Sequence, residues 1–192
     1  MKKILCNVLL LSILLTTGCG SDGDDKAREA NEKKIDQQTA GISDEAKEQA
    51  KETADQLVEL TSMSLTELEM SKLAMQKAAN PQVKTFAQRS VQEHQLRNTQ
   101  LRDLARQLSL TVPAELSKEG KDRIDDLRDE QGTAFDLRYL SEIASVNERS
   151  TDLADNLADE APNETVQKLA SQIKKEDKRH RDQARQMKNI LD

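Results

Sequence analysis

The 192-residue chain lacks tryptophan and contains few aromatic, glycine or proline residues. Its aromatic side chains are Phe86, Phe135 and Tyr139, and it has six glycines and three prolines. Sandwiches and barrels depend on β-branched and aromatic residues and on many turns, so this composition argues against an all-β fold. A third of the residues are charged, and the abundance of Ala, Leu, Glu, Lys, Gln and Arg favours helices.

Cysteine and net positive charge are scarce as well. Cys6 and Cys19 are the only cysteines, which removes thiolate metal sites, disulfides and cysteine nucleophiles from the rest of the chain. Because the formal charge is -6, we expect no general binding of nucleic acid. The sequence shows no catalytic-triad spacing, no glycine-rich phosphate loop and no His-Glu-x-x-His motif, so we do not expect an enzyme.

The amino terminus has the pattern of an export signal. Lys2 and Lys3 precede a run of apolar residues at 4–15, which is shorter than the roughly 20 residues that span a bilayer. The following Leu-Thr-Thr-Gly-Cys sequence resembles a bacterial lipobox. The resemblance implies cleavage after Gly18 and attachment of lipid to Cys19. An ordinary secretory signal with an incidental cysteine is the alternative interpretation.

The residues after Cys19 bear on location and domain organisation. No aspartate directly follows the cysteine, which resembles the sorting pattern of outer-membrane lipoproteins in Gram-negative bacteria. We therefore expect a cell-envelope protein that is lipid-anchored in the outer membrane and faces the periplasm. The sequence divides into a signal peptide at 1–18, a polar tether at 19–43 and a helical domain at 44–192.

Apolar residues recur at helical spacing throughout the third segment. Asn80 and Pro81 have the pattern of a helix N-cap followed by proline at the first helical position. Two helical hairpins with a long connection between them predict an all-α, ferritin-like four-helix bundle with a crossover between helices two and three. The pattern predicts four long helices and one short helix within the crossover, at 45–78, 82–109, 133–159, 163–191 and 117–130.

Ionisable residues interrupt the apolar faces of the four long helices. Both histidines of the chain are among them, on two different helices. A buried carboxylate must be paired, protonated or bound to a metal, so this placement marks a candidate site for a transition metal such as Fe, Mn, Zn or Cu. The five candidate ligands are Glu67, His94, Glu142, Asp177 and His180.

Two other interpretations of this set stay open. A di-metal oxidase would use one Glu from each of two helices and a Glu-x-x-His from each of the others. Asp177 and His180 form a variant of that element, but Val91 stands three residues before His94, so the set is incomplete. Alternatively, the five residues form a structural network whose acids are neutralised by nearby arginines. Those arginines are Arg97, Arg149 and Arg181.

Three blocks of sequence carry a family resemblance. The first block contains three stretches, which read ELEMSKLA at 67–74, KAANPQVKTFA at 77–87 and VQEH at 91–94. The second block reads FDLRYL at 135–140. The third consists of His180 and Ala184, four positions apart. They resemble the domain-of-unknown-function family 4142, a bacterial envelope family considered ferritin-like. The resemblance implies an exported, often lipid-anchored helical domain of largely unassigned biochemistry. Family members usually carry a histidine at the position of Asn147, and its absence weakens an inherited metal site.

Together these patterns predict a non-enzymatic binding or stress-associated accessory protein. Its predicted contact with the membrane is the lipid on Cys19, and the sequence gives no protein partner and no oligomeric state. A metal-binding ferritin-like protein is the alternative function. A transition metal ion is the one cofactor that the five candidate ligands could hold.

Overall fold

The computed structural model describes residues 22–38 and 41–192, and the predicted signal peptide, cleavage site and Cys19 lie outside these ranges. The described residues form six helices and no strand. The four long helices and the short crossover helix agree with their predicted bounds to within a few residues. In chain order the helices are α1 (Gly23–Gln38), α2 (Asp44–Lys77), α3 (Pro81–Gln107), α4 (Lys118–Asp129), α5 (Gly132–Glu160) and α6 (Glu164–Leu191).

Side-chain oxygens at the N-caps determine where most of these helices begin. Ser43 precedes α2, Ser117 precedes α4 and Asn163 precedes α6, and each accepts hydrogen bonds from backbone amides of the first turn. Asn80 does the same for α3, and Pro81 occupies the first helical position, as the sequence predicted. Such caps satisfy amides that have no partner within the helix.

Contacts between helices show whether neighbouring helices run parallel or antiparallel to each other. Ser71 on α2 bonds Tyr139 on α5, whereas Glu59, earlier in α2, pairs with Arg149, later in α5. The helices α2 and α5 are therefore antiparallel, and the short turn after Lys77 makes α2 and α3 antiparallel too.

The same reasoning applies to α6. Arg97 on α3 pairs with Glu176, and Glu93 pairs with His180, so α3 and α6 run in opposite directions. The order around the bundle is α2, α3, α6, α5, with directions up, down, up and down. Because α3 and α5 point the same way, residues 108–131 must return along the bundle. This is the ferritin-like topology, and the predicted fold class is confirmed.

Two apolar clusters fill the bundle. One includes Phe86 and Phe135, and the other includes Leu101 and Leu157. A buried polar layer lies between these clusters on α3, α5 and α6, and Glu67 of α2 completes it. Its members are polar or ionisable side chains with at most 3% exposure, including Glu67, His94, Arg97, Asn147, Asp177 and His180.

The segment expected to be a polar tether differs in the structure, because residues 23–38 form α1. Ala27, Asn31 and Ile35, each four positions apart, are buried against the domain. Asn31 Nδ2 donates to the carbonyl of Thr111 at 2.8 Å, and its Oδ1 accepts from the amide of Thr111 at 2.6 Å. The apolar stripe is one residue wide and contains an asparagine, so it does not stand out in the sequence.

The crossover helix α4 packs very closely on α2. A Cβ atom added at Gly120 would lie 2.4 Å from Thr66 Oγ1, closer than real Cβ contacts. Glycine therefore allows the backbones to approach at this point. No helix within residues 22–38 and 41–192 is both long and apolar enough to cross a membrane.

Candidate metal centre

Three of the predicted ligands meet in the buried polar layer. Glu67 on α2, His94 on α3 and His180 on α6 each offer one ligand atom within 4.8 Å of the others. Glu67 and His94 have no solvent exposure, and His180 is 3% exposed. A search of the described residues for three or more His, Cys, Asp or Glu side chains close enough to share a metal ion finds this group.

Each of the three residues has one buried atom without a hydrogen bond. These atoms are Glu67 Oε1, His94 Nε2 and His180 Nδ1. His94 Nε2 does lie 3.3 Å from Glu67 Oε2, but not in hydrogen-bond geometry. The large majority of buried side-chain polar atoms in proteins are bonded, so unbonded atoms on three residues that lie this close together need an explanation. A cation bound by the three residues would provide one.

The other nitrogen of each imidazole is already engaged. His180 Nε2 contacts Glu93 Oε2, and His94 Nδ1 lies 3.1 Å from Ser64 Oγ. The hydrogen bond from His180 lowers the pKa of Glu93 to about 2, so at neutral pH this carboxylate only accepts. A neutral His180 that donates from Nε2 to this carboxylate has its lone pair on Nδ1, which is buried and has no hydrogen bond. Metal-binding histidines are commonly oriented in this way by an outer carboxylate or hydroxyl.

Glu67 is held in the same manner. Asn147 Nδ2 donates to Glu67 Oε2 at 2.5 Å and to the carbonyl of Ile143 at 2.9 Å, so one carboxylate oxygen is fixed and the other is free. Burial raises the pKa of Glu67, but the attraction of His94 and the positive charge of Arg97 outweigh it. The pKa therefore lies below its ordinary value, and the carboxylate is ionised, as a metal ligand must be.

Asp177 lies in the same layer but is occupied by other partners. Arg97 Nη1 lies 2.5 Å from Asp177 Oδ1, and Ser150 Oγ donates to Asp177 Oδ2 at 2.5 Å. Burial raises the pKa of Asp177 above its ordinary value even though Arg97 opposes the shift. The structure therefore places this predicted ligand in an ion pair beside the three-residue group.

Glu142 lies outside the group altogether. Its carboxylate pairs with Arg123 of α4, and Arg138 Nε lies 3.0 Å from the other carboxylate oxygen. Its side chain is 12% exposed, so solvent also reaches it. The structure brings together Glu67, His94 and His180, and gives Asp177 and Glu142 arginine partners instead.

Sequence reasoning missed the residues that orient the three ligands. Ser64 precedes Glu67 by one helical turn on α2, so it could have been found as a polar neighbour on the same face. Glu93 is adjacent to His94 but points toward α6, so its role follows only from the packing of α3 on α6. Asn147 was noted only as the position where a histidine was expected.

The charges of the layer favour an additional cation. Glu67 and Asp177 are acidic and buried, and Arg97 supplies one compensating charge. A divalent metal bound by Glu67 and the two imidazoles would bring further positive charge next to these buried acids.

A small pocket of about 90 Å³ lies between α3 and α6, and His180 is the one residue of the ligand group that lines it. We call this pocket the mouth of the site. Glu93, half-buried, lies at the rim and bonds both His180 and Arg179. Side chains of α3 and α6 therefore border this pocket beside His180.

The comparisons with known proteins agree with this fold. Residues 37–187 match the model of the DUF4142 family, a domain of unknown function. The chain belongs to the DUF4142 family. The resemblance in the three sequence blocks is thereby confirmed.

A solved structure described as "CopM in the Cu(II)-bound form" resembles this DUF4142 domain, with a TM-score of 0.63. The two sequences are 18% identical, and the match covers 73% of this chain and 97% of that one. At this identity the likeness shows a shared helical-bundle fold. A search of curated proteins finds no match.

The donors of the DUF4142 domain suit a single ion. Ferritin-like di-metal sites use four carboxylates and two histidines, whereas this group has one carboxylate and two imidazoles. Imidazole nitrogen and carboxylate oxygen together suit Zn²⁺, Cu²⁺ or Fe²⁺, while Mg²⁺ and Ca²⁺ prefer ligand sets made entirely of oxygen.

Proposed function

We propose that this DUF4142 protein binds one divalent transition-metal ion between α2, α3 and α6. The observation that supports the proposal is that Glu67, His94 and His180 are buried, offer ligand atoms within 4.8 Å of one another, and each keep one buried atom without a hydrogen bond. The outer bonds of Ser64 and Glu93 direct both imidazoles inward, which an ordinary buried polar network does not require.

Copper(II) and zinc are the ions to test first. Both accept imidazole and carboxylate ligands, and the CopM structure of similar fold is described as Cu(II)-bound. Because the ligand group lacks a thiolate or thioether, it is less suited to Cu(I). The ligands are closed off from solvent, so the domain fits a role in holding or carrying an ion rather than in exposing it to a substrate.

We place this function in the cell envelope on the basis of the sequence. The short apolar run, the lipobox-like sequence and Cys19 support export and attachment of a lipid to the mature chain. A Cys19→Ser variant should lose both incorporation of labelled fatty acid and membrane attachment. Retention of the label and of the attachment would refute the lipid anchor without affecting the metal proposal.

The metal proposal is tested by titrating the purified, metal-free protein with Cu²⁺ and with Zn²⁺ and measuring stoichiometry and affinity. We expect one equivalent to bind to the wild type, and this binding to be lost in a His94→Ala/His180→Ala double variant. Glu142→Gln serves as the control, because the arginine partners of Glu142, Arg123 and Arg138, lie outside the ligand group.

Circular dichroism shows whether each variant remains folded. Equal binding by the wild type and the folded double variant would contradict the proposal. It would also be contradicted by a wild-type protein that binds neither ion above background, and the polar layer would then be a structural network.

A further inference from the structure

The amino terminus of α1 lies at the middle of the bundle. Asp24 and Ser62 line the same small pocket, and Arg28, one turn later on α1, pairs with Glu59 of α2. Ser62 is about 27 Å along the axis from the first residue of α2 and about 22 Å from its last. Farther along α1, Asp36 pairs with Lys47 near the beginning of α2. The helix therefore starts beside the centre of α2 and runs toward one end of the bundle.

The helix α4 begins at the same place and runs the opposite way. The amide of Lys118, at its start, donates to Asp22 Oδ2 at 2.6 Å, so the amino termini of α1 and α4 are adjacent. Near its end, the carbonyl of Arg128 accepts a hydrogen bond from Lys77, the last residue of α2. Together α1 and α4 lie along most of the length of α2, and α4 also contacts α5. Residues of α1 and Leu153 of α5 line one pocket, so both helices lie on the α2–α5 side of the bundle.

The α3–α6 pair forms the opposite side. The pocket that leads to His180 opens there, between Glu93 and Arg179. The covered side and the mouth of the metal centre therefore face in opposite directions.

Few residues separate Cys19 from the folded domain along the chain. Gly23 is the first residue of α1, and four residues of fully extended chain reach about 14 Å. A bundle standing on either end would hold the amino terminus of α1 at least about 22 Å above the membrane surface. The chain cannot reach that far if Cys19 carries the lipid.

We propose that the bundle lies on its side on the membrane, with α1 and α4 against the lipid headgroups and the mouth of the metal centre facing away. This inference depends on the lipid anchor at Cys19, which is part of the proposed function. The helices α1 and α4 each carry five acidic and four basic residues, so the orientation requires no anionic lipid. A partner that exchanges metal with the site would approach from the aqueous side.

Tryptophan fluorescence tests this orientation, because the chain contains no tryptophan of its own. The variants are Gln37→Trp on α1, Asp129→Trp on α4 and Leu96→Trp on α3, and all three positions are exposed. The full-length lipidated proteins are reconstituted in phosphatidylcholine vesicles that contain a dansyl-labelled lipid headgroup. Energy transfer from tryptophan to dansyl then reports the distance of each position from the membrane.

We expect transfer from both Gln37→Trp and Asp129→Trp to be at least twofold more efficient than from Leu96→Trp. Efficient transfer from only one of the first two variants would mean that the bundle stands on an end, and would overturn the proposal. Equal transfer from all three would overturn it as well. If Cys19 carries no lipid, the premise fails, whereas the solution titration of the metal site remains a separate test.

Discussion

Individual hydrogen bonds decide which atoms of the polar layer are free to bind a metal. Ser64 and Glu93 each engage the outer nitrogen of one imidazole, and Asn147 engages one oxygen of Glu67. These contacts leave Glu67 Oε1, His94 Nε2 and His180 Nδ1 without hydrogen bonds. In a neutral His180 the proton lies on Nε2, because the ionised carboxylate beside it can only accept.

Glu93 should therefore affect metal affinity without being a ligand. Changing an outer partner of a metal-binding histidine typically weakens metal binding about 10–100-fold, and we expect a loss in this range for Glu93→Gln. Competition with a chelator of known affinity measures the loss. Glu148→Gln, in which an exposed acid paired with Arg185 loses its charge, is the matched control. Equal affinities of the two variants would contradict this role.

Arg97 should be important for stability, because it neutralises a buried acid. Removing one partner of a buried ion pair costs about 3–5 kcal/mol, and we expect Arg97→Met to lower the free energy of unfolding by this amount. Adding Asp177→Leu removes the unpaired charge and should restore most of the loss. Chemical denaturation of the metal-free proteins measures both effects. A loss below about 1 kcal/mol in Arg97→Met would show that Asp177 is neutralised by another route.

The sequence was sufficient to place Glu67, His94 and His180 on facing apolar stripes. Helical periodicity identifies the face of a residue, but not its rotation toward a particular neighbour. Asp177 falls on the core-facing stripe as clearly as His180, yet it turns to Arg97. Glu142 likewise faces inward by periodicity, but α4 brings Arg123 beside it. The sequence alone could not give these pairings, because they depend on how the helices pack.

Among the helices, the long ones were predictable and the accessory one was not. Local signals such as Asn80 and Pro81 determine where α3 begins, and broad apolar faces determine how far the long helices extend. By contrast, α1 has a face of only Ala27, Asn31 and Ile35, and it is stabilised by long-range bonds to Thr111. Its position follows from the path of the crossover, which local sequence does not report.

The contact of α4 with α2 gives a prediction for this pair of helices. Alanine normally stabilises a helix by roughly 0.5–1 kcal/mol relative to glycine. At position 120 the added methyl would meet Thr66 Oγ1, so we expect Gly120→Ala to lower stability by about 1–3 kcal/mol instead. Thermal denaturation measures the change. The double variant Gly120→Ala/Thr66→Ala removes the clashing oxygen and should recover part of the loss.

The opposite result for Gly120→Ala is equally informative. An increase in melting temperature would mean that intrinsic helix preference dominates at this position. The backbones of α4 and α2 would then be farther apart than the structure shows.

For the whole molecule, the bundle topology explains why a metal centre can be fully enclosed. Four antiparallel contacts bring the middles of α2, α3, α5 and α6 to one level, where apolar clusters close the layer on both sides. Within the described residues, a pocket at His180 lies beside this layer. The helices α1 and α4 add a further layer on the other side.

The most direct test of the central proposal is anomalous diffraction from crystals of the protein loaded with Cu²⁺ or Zn²⁺. We expect one principal anomalous peak, within about 2.0–2.2 Å of a nitrogen of His94, a nitrogen of His180 and an oxygen of Glu67. A principal peak at exposed carboxylates, or an empty polar layer in a protein that has bound metal elsewhere, would contradict the proposed metal centre.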